Sequence, residues 1–309
     1  MNKECVYPYI SVIIPVYNSE GMIGDCLRSF LAQDYPAGRF EIIVVDNNST
    51  DRTAEVIKQY PVKYLLEDKV QSSYAARNTG ADVAQGEGLL FFDADQTVEL
   101  DFLKKFTRYW DDKGCGAFGA QYKAMNLDNS LAGKFWSIQE NICFSNVDGE
   151  KAFSKLGGGN TLVRKTVFQQ AGGFDSTLIS WGDYDFAYRL KQAGVKVKYV
   201  DDAVITHKQR NTFKALLRRE YRIGFGKSDF ERRHPELKSS LCRAAFKALG
   251  RTIRGIAALA LGLVKPLKDK PRKEHLAMIY FDIVIRWAQI FGHLHNRLSR
   301  GRVRIPAKW

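Results

Sequence analysis

The sequence predicts an α/β fold, a Rossmann-like and mostly parallel sheet with flanking helices, followed by a basic helical C-terminal region. Three observations predict it. Through the first two hundred residues, short Val- and Ile-rich runs alternate with segments whose apolar residues recur at steps of three and four. The strand-like runs are apolar throughout, as strands buried on both faces of a parallel sheet must be. The charge also changes sign along the chain. Residues 208–309 carry 25 Lys and Arg against 7 Asp and Glu, while residues 1–207 carry 22 against 27.

The elements follow in order. Residues 11–15 form a first strand, and Met22, Ile23, Cys26, Leu27, Phe30 and Leu31 make one face of a helix. Residues 41–45 (EIIVV) are a second strand, and Ser49 to Asp51 suit the start of a helix running to Gln59. Residues 62–66 and 89–92 are further strands, separated by a helix over 74–84. This strand–helix rhythm is that of right-handed crossovers. Beyond Asp95 the spacing predicts a helix over 99–110, a strand over 115–121 and an aromatic-rich helix over 131–144. Gly157-Gly158-Gly159 opens a strand over 160–163, a helix covers 183–193, and strands cover 195–200 and 203–206. From 208 onward only basic helices are expected, broken near Pro235 and Pro266. Two domains are therefore expected, 1–230 and 231–309.

An apolar content of 45% with 26% charged residues excludes a disordered or collagen-like chain. Five cysteines, an odd number with no C-x-x-C pair, argue against a disulfide framework or zinc ribbon and for a reducing compartment. The start, MNKECVYPYI, lacks the apolar run of a signal peptide, and no stretch reaches the ~18 apolar residues of a spanning helix. A cytoplasmic localisation is expected.

In open parallel sheets, ligands bind beyond the carboxyl ends of the strands. Pro15-Val16-Tyr17-Asn18 follow the first strand, Asp46-Asn47-Asn48-Ser49-Thr50-Asp51 the second, and Asp93-Ala94-Asp95 the fourth. Asn47, Asn48 and Asp51 read as turn and cap residues, and Asp46 reads either way. Asp93 and Asp95 are harder to dismiss: two carboxylates ending an apolar strand repel unless something positive sits there. A divalent cation shared with substrate phosphates is the usual solution. Asp183 opens a helix, where it is either an N-cap or a general base, with Trp181 and Gly182 shaping a pocket wall. His207 ends a strand and is a candidate metal ligand.

The order and spacing of five blocks resemble glycosyltransferase family 2 on a GT-A fold, over roughly residues 9–225. The blocks are SVIIPVYN, EIIVVDNNSTD, YAARNTGADVAQGEGLLFFDAD, LGGGNTLVRKTVFQQAGGF and WGDYDFAYRLKQAGVKVKYVDDAVITH. The resemblance implies an inverting transfer of a sugar from a UDP-, GDP- or dTDP-linked donor to a hydroxyl acceptor, with Mn2+ or Mg2+ as cofactor, in cell-surface glycan or glycolipid synthesis. It implies that Pro15, Tyr17, Asn18 and Asp46 line the nucleoside pocket and that Arg77 lies near the diphosphate or sugar. Asp93 would face the ribose, Asp95 and His207 the metal or diphosphate, and Asp183 would be the base, with Trp181 and Asp185 in acceptor or supporting positions. One departure stands out: the family's Glu-Asp is here Gly182-Asp183. Asp185 lies about 200° around the helix from Asp183, so the two cannot face the same way.

A nucleotidyltransferase would need a Gly-rich basic loop after the first strand, where this chain reads PVYNSE. A nucleic-acid-binding protein is suggested only by the basic balance, which is confined to the tail and accompanied by no reading motif. A catalytically dead carbohydrate-binding relative is disfavoured by the presence of Asp93, Asp95 and Asp183. Without a metal, Arg77 and Arg210 would have to stabilise the leaving group. In the tail, Tyr280, Val284, Trp287 and Phe291 make one stripe, and residues 255–264 are apolar after Arg251 and Arg254. These helices either pack on the catalytic domain or lie in the plane of an anionic membrane on its cytoplasmic face, beside a lipid-linked acceptor.

Overall fold

The computed structural model describes residues 7–125, 130–143, 153, 156–208, 212–260 and 272–299. The chain divides into two compact units. One comprises Met1–Met125, Glu140–Thr177 and Gly182–Lys208, the other Asn126–Gln139, Leu178–Trp181 and Gln209–Trp309.

The first unit is built on an eight-stranded sheet ordered β3-β2-β1-β4-β7-β6-β8-β5. Its strands are β1 (Ile10–Val16), β2 (Phe40–Asp46), β3 (Lys63–Leu66), β4 (Gly88–Phe92), β5 (Gln96–Val98), β6 (Cys115–Met125), β7 (Asn160–Arg164) and β8 (Lys196–Lys208). The pairs β1/β2, β2/β3, β1/β4 and β6/β8 are parallel. β7 runs antiparallel between β4 and β6. All seven residues of β1 are buried, apolar but for Ser11, whose hydroxyl donates to Glu41 at 2.6 Å. Helix α1 (Ile23–Leu31) turns Ile23, Cys26, Leu27 and Phe30 to the sheet. Phe30 meets Phe92 of β4 edge-to-face at 4.7 Å between centroids. Burying each such side chain contributes about 1.5–3 kcal/mol.

Helix α2 is short (Thr53–Ile57), with Asp51 accepting from the backbone N–H of Thr53 at 3.0 Å. Helix α3 (Ser73–Asp82) starts at Ser72, whose hydroxyl accepts from the Tyr74 N–H at 3.2 Å. Helix α4 covers only Phe102–Thr107, less than the span 99–110 expected, because the residues either side form turns. Three features carry no sequence signal strong enough to be anticipated. The three-residue strand β5 pairs antiparallel with β8, Gln96 facing His207. Helix α6 (Lys165–Gln170) follows β7 directly. The strands expected at 195–200 and 203–206 are one strand, β8, which continues through Asp201-Asp202 beside a register shift at Ala120/Gln121 of β6.

The second unit is helical: the start of α5 (Leu131–Cys143), then α8 (Phe213–Arg233), α9 (Leu241–Ala260) and α10 (Arg272–Ser299). Helix α7 (Gly182–Gln192) belongs to the first unit. A short 3-10 turn at Pro235–Leu237 ends α8, as Pro235 predicts. The expected division at residue 230 falls inside α8, which is continuous and lies wholly in the second unit. Helices α8 and α10 cross closely. A Cβ on Gly224 would overlap the backbone of Gln289, and one on Gly292 the backbone of Tyr221. Phe135, Leu216, Met278, Phe281 and Ile285 form the core of this unit. The buried face of α10 therefore runs through Met278, Phe281 and Ile285, while Tyr280 and Phe291 of the expected stripe are more than half exposed. Phe144, Arg210, Pro266 and residues 261–264 of the apolar run lie outside the described residues.

Candidate active site

The carboxyl ends of β1, β2 and β4 are adjacent, so the loops that follow them share one edge of the sheet. After β1, Asn18 adopts a left-handed backbone (φ 47°), which Asn tolerates better than most side chains. Its Oδ1 accepts from the Thr50 N–H at 2.8 Å, and its own N–H donates to Ser49 Oγ at 3.0 Å. The loops carrying Pro15, Tyr17 and Asn18 and those carrying Asp46 are thus tied together. Asp46 is buried at the end of β2, accepting from the Ser49 N–H at 2.9 Å and from the Tyr64 hydroxyl at 3.1 Å. Desolvation and then the Asp46 carboxylate push the Tyr64 phenol up to about 12. Asn47 holds the segment after β3, donating to the carbonyls of Glu67 and Val70. The side chain thus bridges two loops and caps no helix, so the turn-and-cap reading does not describe it.

After β4, Asp93 accepts from Arg77 Nη2 at 2.5 Å. Arg77 projects from α3 and is buried, a cation kept from water by its carboxylate partner. Its Nε is buried without a partner. Desolvation raises the Asp93 carboxyl above its ordinary value, Arg77 pulls it down, and Asp95 raises it again. Asp95 Oδ2 lies 3.3 Å from His207 Nε2, while its carbonyl accepts from the Lys208 N–H at 2.9 Å. The β5/β8 pairing produces this meeting.

The glycine run before β7 organises the centre. A Cβ on Gly158 would stand 2.9 Å from Arg77 Nη2, and one on Gly159 would stand 2.6 Å from Asp93 Cγ and 2.7 Å from Gln96 Nε2. Only hydrogen allows the chain to pass this close. Gln96 in turn accepts from the Asp93 N–H at 3.1 Å. The Gly158 N–H donates to Asp183 Oδ2 at 3.3 Å. The sequence reading takes the run as a strand opener and as part of the LGGGN block of the family pattern; its approach to Asp93 and Arg77 is a tertiary fact that three consecutive glycines alone do not give.

Asp183 sits in the first turn of α7, its Oδ1 3.5 Å from the Tyr74 hydroxyl. Gly182 has the Tyr74 ring against it, so that a Cβ there would lie 2.7 Å from the ring. Asp185 is engaged elsewhere. It is buried and paired with Arg189 (Nε 2.9 Å, Nη2 2.8 Å), and Arg189 also donates to the carbonyls of Ala171 and Gly173. Trp181 has φ 69° and belongs to the second unit, where its indole donates to the Ile223 carbonyl at 3.0 Å and its ring lies 5.4 Å from that of Phe230.

Among the described residues, no group of three or more His, Cys, Asp and Glu is gathered as for a metal held by protein alone. Asp95 and His207 fit a different case. One carboxylate and one imidazole suit a cation that completes its shell with phosphate oxygens.

The sequence profile of glycosyl transferase family 2 matches residues 11–170, which contain β1 to β7 and the glycine run. The chain belongs to glycosyltransferase family 2. A second profile, the N-terminal domain of galactosyltransferase, matches residues 141–214. Glycosyltransferase AglE of Haloferax volcanii is 33% identical over 227 residues, covering 71% of this chain and 73% of that protein. Among solved structures, mannosyltransferase PcManGT from Pyrobaculum calidifontis, in complex with GDP-Man and Mn2+, is similar over 98% of this chain and 78% of its own (TM-score 0.58, 18% identity). S. aureus TarS 1-349 in complex with UDP-GlcNAc is similar over 95% and 91% (TM-score 0.56, 18% identity). The fold is GT-A. As a family 2 member the protein is a glycosyltransferase that uses a nucleotide-sugar donor and inverts the anomeric centre.

Proposed function

We propose that this family 2 enzyme is a metal-dependent, single-displacement transferase with Asp183 as its general base. One observation carries the reading: the glycine run touches both the Arg77–Asp93 pair and Asp183, so donor-side and acceptor-side groups share one rigid turn. The nucleoside of a UDP-, GDP- or dTDP-linked donor lies along Pro15, Tyr17, Asn18 and Asp46, with Asp93 toward the ribose and Arg77 toward the diphosphate or sugar. Asp95 and His207 would hold Mn2+ or Mg2+ when the donor binds. That cation would supply the positive charge that a departing diphosphate needs.

The acceptor hydroxyl has a high pKa, so its proton must be taken as the new bond forms. Asp183 accepts it while the hydroxyl oxygen bonds to the anomeric carbon and the bond from that carbon to the diphosphate breaks. One displacement inverts the centre, and no second carboxylate is required as a nucleophile. The Gly158 N–H and the Tyr74 hydroxyl orient the base, and Asp185 braces α7 through Arg189. We further read the acceptor as lipid-linked and the enzyme as peripheral on the cytoplasmic face of an anionic membrane. That reading is supported by the basic second unit and compatible with the described helices, none of which is long and apolar enough to cross a membrane.

The test is a thermal-shift screen of nucleotide sugars with and without Mn2+, followed by turnover of the best binder. A true donor raises Tm by mass action, more so with metal. Asp95→Ala should abolish the metal-dependent part. Turnover undiminished by excess chelator, or retained by Asp95→Ala, would refute the metal reading.

A further inference from the structure

We propose that helix α9 is an in-plane docking surface for an anionic lipid bilayer. The inference rests on the peripheral-membrane reading above and assigns that property to particular residues. On α9, Phe246, Leu249, Ile253 and Ile256 recur at steps of three and four and lie on one face. They are exposed: Phe246 by 78%, Leu249 by 47%, Ile253 by 57% and Ile256 by 59%. An apolar stripe of this kind left to water marks a surface built for another phase or partner.

The other side of the helix explains why the stripe stays outside. Ala248 and Gly255 are buried, and a Cβ on Gly255 would stand 3.0 Å from Ile283 Cδ1 and 3.2 Å from Ile279 Cγ2 of α10. Thr252 Oγ1 accepts from the Trp287 indole at 3.1 Å. Small residues thus seat α9 on α10, and the large aliphatic and aromatic residues point away. Nothing in the composition of α9 requires that choice for packing alone, since Phe246 and Ile253 would bury more area than Ala248 and Gly255.

Charge identifies the occupant. Arg243, Lys247, Arg251 and Arg254 recur at steps of four, four and three, a row beside the apolar stripe, and α9 contains no acidic residue. Arg251 also lies 3.8 Å from Asp282 of α10, which anchors one member of the row to the unit. An apolar stripe bordered by a basic row matches a surface that is negative at its headgroups and apolar just beneath them. A protein partner would need acidic residues disposed around an apolar ridge, whereas an anionic bilayer presents that combination everywhere. The same unit adds Tyr280 and Phe291 on α10, each more than half exposed.

The experiment is flotation of the full chain with phosphatidylcholine vesicles, with and without phosphatidylglycerol. The expected result is binding to the anionic vesicles only, weakened by salt. Each basic residue near such a surface contributes about a fivefold gain, so Lys247→Gln with Arg254→Gln should weaken binding on the order of 30-fold. Ile253→Asp should abolish it. All these side chains are exposed, so the variants should keep the parent Tm and the parent rate of transfer to a water-soluble acceptor. If the chain binds anionic vesicles but every α9 variant binds equally well, the assignment to α9 is wrong while the membrane reading stands. If nothing binds, both fall. A chain that is dimeric in solution and ignores vesicles, with Ile253→Asp making it monomeric, would overturn the proposal in favour of a second copy as the occupant.

Discussion

Replacing Gly159 by Ala tests the glycine run most directly. The added Cβ would overlap Asp93 Oδ2 and stand 2.6 Å from its Cγ and 2.7 Å from Gln96 Nε2, where ordinary contacts begin near 3.4 Å. Asp93 must then retreat by about 0.8 Å, and a shift near 1 Å at a positioning group costs on the order of 10²-fold in rate. The Arg77–Asp93 pair must stretch or turn with it, and overpacking of this kind costs about 1–3 kcal/mol. The assay is steady-state turnover with the donor found by thermal shift, alongside the Tm of the variant. Gly21→Ala is the control, because a Cβ there meets nothing within 4 Å. A Gly159→Ala enzyme that keeps the parent kcat and KM would show that the run does not set the site, and the mechanism built on it would fail.

Asp183→Asn should lower kcat by roughly 10²–10⁴-fold with donor affinity nearly unchanged, while Asp185→Asn should mainly lower Tm by loosening Arg189; the reverse pattern would exchange their roles. Gly224→Ala should destabilise the second unit by about 1–3 kcal/mol, read by chemical denaturation, since Gln289 backbone blocks the new methyl group; an unchanged midpoint would contradict the close crossing. His293 is buried on α10 with its Nε2 3.5 Å from Glu231, and desolvation holds its imidazole below the ordinary value against the pull of Glu231, with Lys227, Arg297 and Arg232 adding to the depression. The unfolded chain then takes up a proton at higher pH than the folded chain, so stability should fall as pH drops through about 6.5. Melting temperatures across that range should show the slope, and His293→Gln should flatten it; an equal slope in both proteins would count against the assignment.

The parts of the fold legible in the sequence are those whose environment is uniform along an element. Strands β1, β2 and β4 are buried on both faces, so their composition alone gave their positions. The face of α1 was legible because one side meets the sheet and the other water. Strand β5 was not, since three residues carry no periodicity and the pairing depends on β8 more than a hundred residues away. Two strands, 195–200 and 203–206, are expected either side of Asp201-Asp202, yet a long partner strand carries β8 through them. At the site, Asp93 and Asp95 were legible from charge at a strand end. The difference between Asp183 and Asp185 was half legible. Helical geometry set them apart, but the reach of Arg189 to the carbonyls of Ala171 and Gly173 is a tertiary fact. In α10, Tyr280, Val284, Trp287 and Phe291 read as one stripe, but Tyr280 and Phe291 are exposed, the Trp287 indole donates to Thr252 of α9, and Met278, Phe281, Ile285 and Gly292 take the packing surface.

The Gly224/Gly292 crossing ties two positions 68 residues apart. On a ribosome adding roughly 5–20 residues per second, α8 waits about 3 to 14 s for the helix that covers it. Every strand of the sheet has been made by Lys208, so the catalytic unit can close its hydrogen-bond ladder while α8 is still uncovered. During that interval Phe225, which meets His295 and Asn296 of α10, faces water or a chaperone. Newly made chains cut short before α10 should therefore carry a finished sheet and an adhesive second unit.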